Sequence, residues 1–146
     1  MKQFVFTLQS LYDMKLSEEK QKKIELAAVE KELRSKNDEL SALKREFKEK
    51  NEEYLAVMAA GTDAERIKQF GVFFTRLKES IALTEKQIDA LEQEKQQIVA
   101  QLVEIRKEIK LLGKLHDEQY AEYLDKRKKM QEALIGDIVS YKVTVS

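Results

Sequence analysis

The chain has 146 residues with no Cys, Pro or Trp, and 37% of it is charged, 27 basic side chains balancing 27 acidic ones. Ala, Glu, Lys, Leu and Arg fill just over half the sequence, which is the composition of long helices and coiled coils. This excludes an enzyme built around a globular core, a disulfide scaffold, a thiolate metal site and, at zero net charge, the long-range positive field of a nucleic-acid binder. No apolar run approaches the roughly 18 residues needed to cross a bilayer, so no direct membrane insertion is expected. The N-terminal stretch also carries Gln3, Gln9 and Asp13 where a signal peptide is uniformly apolar.

Near the N-terminus, Phe4, Leu8, Leu11, Tyr12 and Leu16 are apolar but slip out of the frame that follows, which predicts a stutter around Glu18 to Lys23. Leu26, Leu33, Leu40, Phe47 and Tyr54 then recur every seven residues, with Val29, Lys36, Leu43, Lys50 and Val57 three further on. That is a heptad seam in which Lys lays its methylenes on the partner and keeps its ammonium in water. The first helix is expected over about 3–60.

Gly61 can take the left-handed conformation that ends a helix, and Thr62-x-x-Glu65 reads as a capping box that starts the next, giving a turn at 61–63. The second helix is expected over about 63–141. Its a positions run Ile67, Phe74, Ile81, Ile88, Lys95, Leu102, Ile109 and its d positions Phe70, Leu77, Thr84, Leu91, Ile98, Ile105, Leu112, twelve of the fourteen apolar. Residues 142–146, β-branched and uncapped, are expected to fray.

The two seams predict one register. In an antiparallel pair the a positions of one helix face the d positions of the other, so partner numbers sum to a constant. Tyr54 with Phe70, Phe47 with Leu77, Leu40 with Thr84, Leu33 with Leu91 and Leu26 with Ile98 all sum to 124. Half of that falls on the expected turn, so the fold class is all-α: residues 1–146 as a single αα-hairpin, an antiparallel coiled coil. Residue 1 then faces residue 123, and helix 2 overhangs from about Lys126. The overhang carries Met130, Leu134, Ile138 and Tyr141 as an apolar stripe with nothing of its own to bury it.

Chemistry is sparse. Glu18/Lys22, Glu19/Lys23, Glu30/Arg34, Glu32/Lys36, Glu46/Lys50 and Glu122/Lys126 stand at i, i+4 with Glu first, the arrangement of a solvated helix face rather than of acid–base catalysis. His116 stands alone at an a position and reads, with Gln119, as a polar break where pairing loosens opposite Leu8 and Val5. Gly71 and Gly113 belong to no phosphate-binding loop. Lys126-Arg127-Lys128-Lys129 reads as a solvated face or a contact for an acidic protein surface. Phe73, beside the seam, is either a surface contact near the hairpin tip or local flank packing. No catalytic residue, cofactor or metal is expected.

The opening Phe4-Val5-Phe6-Thr7-Leu8-Gln9-Ser10-Leu11-Tyr12-Asp13, followed by Glu18-Glu19, resembles the N-terminal signature of the flagellar FliJ family, soluble components of the bacterial type III export apparatus. The aromatic stretch Phe70 to Phe74 and the charged block from Gln119 to Lys126 are similar to that family too. The resemblance implies a non-enzymatic stalk that inserts into the ring of the hexameric export ATPase, promotes its assembly and activity, and links it to the membrane export gate and to export chaperones. It further implies a cytoplasmic protein held peripherally at the inner face of the membrane at the flagellar base. On that reading Phe4, Leu8, Leu11, Tyr123, Arg127, Met130 and Leu134 would meet the ATPase, and Phe73 and Tyr54 the gate. The isolated chain is expected as a monomer rather than a homodimer. Two alternatives stay open: a tethering coiled coil that self-associates through the overhang, and a holdase-like export chaperone.

Overall fold

In a computed structural model, which describes residues 2–145, the protein is all-α. Helix α1 spans Gln9–Ala60 and α2 spans Ala64–Val145. The two pack against each other as a helical hairpin, with no strand among the described residues. The chain divides into two compact units, Lys22–Gln101 on the one hand and Met1–Gln21 with Leu102–Ser146 on the other.

In the unit Lys22–Gln101 the heptad seams meet in the predicted register. Val29, Leu33, Leu91 and Ile98 form a buried cluster flanked by Leu26 and Ile88. Tyr54 packs edge-on against Phe70 with ring centroids 5.3 Å apart. Thr84, a hydroxyl in the middle of this apolar seam, is 3% exposed. Its Oγ1 donates to the Ser80 carbonyl at 2.9 Å, which satisfies the buried group within its own helix turn.

The turn keeps its expected place and changes its cap. Gly61 adopts φ +90°, a conformation that an L side chain resists. The Thr62/Glu65 capping box is not what starts α2. Instead Asp63 Oδ1 accepts from the Arg66 backbone N–H at 2.9 Å, so Asp63 is the N-cap. A carboxylate there also faces the positive end of the helix dipole, which the Thr62 hydroxyl would not exploit as well.

In the unit Met1–Gln21 with Leu102–Ser146, α1 starts at Gln9 rather than near residue 3. Phe4 and Phe6 are two apart, and an extended segment throws both to one side while Val5, between them, is 75% exposed. A helix would have separated the two rings by more than half a turn. α1 runs on without a break through Glu18 to Lys23, where a stutter is expected, and polar side chains make the contact with α2 on this stretch. Lys15 Nζ reaches Glu108 Oε2 at 2.6 Å, and Arg106 Nε reaches Glu19 Oε2 at 3.2 Å. The frame is hidden in the sequence because its occupants here are charged.

The charged flanks also pair at i, i+3, a spacing the sequence reading did not single out. Lys15, Lys22, Lys36 and Lys50 each bond the Glu three residues further on, at 3.1 to 3.3 Å. Their stems lie along the seam and deliver the ammonium to the flank where that Glu stands. At its other end α2 stays helical to Val145, where fraying was expected over 142–146, with Thr144 Oγ1 donating to the Ser140 carbonyl at 2.8 Å. Ser146 lies outside the described residues.

Candidate functional site

Two surfaces stand out, one in each unit. In the unit Met1–Gln21 with Leu102–Ser146, the extended N-terminal segment lies on α2 through an aromatic cluster. His116, Tyr120 and Tyr123 stand at i, i+4 and i+7 and so share a helix face. Phe4 meets all three rings, at centroid separations of 5.4, 5.1 and 5.5 Å. Phe6 is buried and meets His116 at 5.2 Å. The Tyr123 hydroxyl donates to the Lys2 carbonyl at 2.9 Å, and Gln119 Nε2 donates to Thr7 Oγ1 at 3.2 Å.

His116 is therefore not a point where pairing loosens. Its ring is a packing surface for two phenylalanines, its Nδ1 is 3.2 Å from Asp117 Oδ1, and Gln119 is bonded. The signal available in the sequence was the two-residue spacing of Phe4 and Phe6, which suits an extended strap and not a heptad.

Beyond Tyr123, every described residue of α2 from Leu124 onward is exposed. Tyr123, Arg127, Met130 and Leu134 line an open groove of about 720 Å³, with Gln3 also in its lining. Met130 is 58% and Leu134 62% exposed, large apolar side chains left in water. Four of the seven residues singled out for the ATPase thus share one groove. Phe4 and Leu8 are half-buried, Phe4 within the strap itself, and Leu11 is exposed on α1 outside the groove. Sequence reading missed Gln131, Ala133 and Asp137, which complete the lining because they flank the apolar stripe.

In the unit Lys22–Gln101 the aromatic side chains form a second cluster. Tyr54 contacts Phe70 at 5.3 Å and Phe74 at 5.9 Å, and Phe47 contacts Phe74 at 5.3 Å. Phe73 lies on its flank, half-buried, with Lys50 Nζ 4.8 Å above the ring centroid. Both sequence-derived residues of this unit touch Phe74, Tyr54 from within the seam and Phe73 from outside it. Val72, its neighbour, is exposed and lines a shallow groove with Lys68, Arg76 and Glu79.

Among the described residues, one ionisable group departs clearly from its ordinary behaviour. Lys15 is held above the usual lysine value of 10.5, first by its hydrogen bond to Glu108 and then by that to Glu18. That is the signature of an ion pair across a seam, not of a catalytic centre.

Fold and surfaces together define the class, an all-α hairpin of coiled-coil type with large apolar side chains exposed in each unit. Residues 4–143 match the family described as Flagellar FliJ protein, and the chain belongs to that family. It is a non-catalytic flagellar family, which makes this protein a component related to flagellar export. Comparison with curated proteins and with solved structures gives no match. Among the described residues, no helix is long and apolar enough to cross a membrane.

Proposed function

We propose that this protein is a non-enzymatic coupling component of the flagellar type III export apparatus. The unit carrying both termini inserts into the hexameric export ATPase, favouring ring assembly and hydrolysis. The observation that supports this reading most directly is the length of α2 beyond Tyr123, wholly exposed and bearing an apolar groove with a basic rim at Arg127. A single helix cannot bury such a stripe, and a ring pore lined by apolar and acidic side chains would cover it from several sides. The protein acts there as a monomeric hairpin, on the cytoplasmic face of the membrane at the flagellar base.

In the same proposal the unit Lys22–Gln101 offers its Phe73 flank to the membrane export gate, with Tyr54 supporting the patch from the seam, and exposed helix faces receive export chaperones. The test is hydrolysis and ring assembly by the purified cognate ATPase with and without the full chain. Stimulation is expected, and Met130→Glu with Leu134→Glu should abolish it without loss of helicity. No change in either assembly or rate on adding the unaltered chain would overturn the proposal. For the gate, Phe73→Ala should weaken capture of the gate's cytoplasmic domain while leaving ATPase stimulation intact.

A further inference from the structure

The stripe that α2 leaves uncovered is complementary to itself. Tyr123, Arg127, Met130, Leu134, Asp137 and Tyr141 are spaced alternately by four and three residues, which keeps one helix face continuously against a second helix. Read backwards against itself, the stripe sets Tyr123 on Tyr141, Arg127 on Asp137 and Met130 on Leu134, all partner numbers summing to 264. The other two α2 side chains of the groove, Gln131 and Ala133, exchange with one another under the same operation. The order of charged, apolar and aromatic groups is therefore that of an isologous interface.

We propose that the occupant of this groove in the free protein is a second copy of the chain, docked antiparallel about a two-fold axis at Glu132. Each Arg127 then meets Asp137 of the other copy, and two Met130/Leu134 contacts form the centre. A parallel alignment would set Arg127 on Arg127 and Asp137 on Asp137, so charge selects the antiparallel arrangement. Tyr141 is 69% exposed in the single chain and would be covered by Tyr123 of the other copy. The overlap is about five turns of helix, a small interface, so the pair dissociates on dilution and yields the groove to another partner. It does not depend on the export-ATPase reading, and its test contains no ATPase.

Sedimentation of the full chain from about 1 to about 300 µM should show a concentration-dependent dimer, the range expected of a small interface. Arg127→Asp and Asp137→Arg should each raise the midpoint concentration by about tenfold or more, since two attractions become two repulsions. The double variant R127D/D137R should return to the behaviour of the unaltered chain, and an equimolar mixture of the two single variants should form a heterodimer. Both positions are exposed on a single helix, and circular dichroism should show unchanged helicity. An unaltered chain that stays monomeric throughout, or a double variant as weak as the singles, would overturn the proposal.

Discussion

The Tyr123 hydroxyl donates a 2.9 Å hydrogen bond to the Lys2 carbonyl, tying the start of the chain to α2 at the last position before it becomes uncovered. The strap ends where the groove begins, because Gln3 and Tyr123 line both. Removing the hydroxyl with Tyr123→Phe takes away one exposed bond, with a stability cost of about 1 kcal/mol or less. Amide hydrogen exchange over residues 4–8 should accelerate while the exchange of α1 and α2 elsewhere stays unchanged. Unaltered exchange over the strap would show that the rings of Phe4 and Phe6 hold it alone.

Asp63 rather than Thr62 caps α2, and the difference can be measured. Asp63→Ala should destabilise the hairpin by about 1 kcal/mol through loss of the N-cap bond to the Arg66 N–H, whereas Thr62→Ala should cost no more than a few tenths of that. Urea unfolding of the two variants discriminates the caps. Equal effects would restore the capping box suggested by the sequence.

Alkali should act through Lys15. Glu108, and next Glu18, raise its pKa above 10.5, so the folded state binds the proton more tightly than the unfolded chain does. The stabilisation is fully present below the unfolded value and is lost as pH rises through the raised folded value. The difference in melting temperature between the unaltered chain and Lys15→Met should therefore be constant from neutrality to about pH 10 and shrink above it. A difference independent of pH up to 12 would show that the 2.6 Å pair contributes only by packing.

Leu33 and Leu91 face one another's cluster in the unit Lys22–Gln101, both buried. Leu33→Ala should cost about 2 to 4 kcal/mol, a transfer loss plus the cavity it leaves, while Leu83→Ala, at an exposed position, should fall within about 0.5 kcal/mol of zero. Denaturant midpoints with unchanged slope would confirm that both variants differ only in stability.

Thr84 is the polar interruption of the same seam. Its hydroxyl already bonds within α2 and contributes nothing across the interface, so Thr84→Val should be neutral or stabilising by up to about 1 kcal/mol. Thermal unfolding reads this directly, and a loss of stability would mean that the hydroxyl does more than satisfy itself.

The sequence by itself determined the hairpin, its turn at Gly61 and the register of Tyr54 with Phe70, since each follows from seven-residue periodicity and from the one residue type that accepts a positive φ. It also determined that α2 outruns its partner, a matter of counting. Tertiary structure alone decided the N-terminal strap, because the two-residue spacing of Phe4 and Phe6 only permits an extended segment, and it takes His116, Tyr120 and Tyr123 to supply the surface that holds the rings. It alone decided that the seam continues through Lys15 and Glu19, because a charged side chain counts as a seam residue only when an opposite charge, here Glu108 or Arg106, waits across the interface. And it alone gathered Gln3 with Arg127 and Leu134 into one groove, since residues so far apart in the chain meet only once the helices are packed.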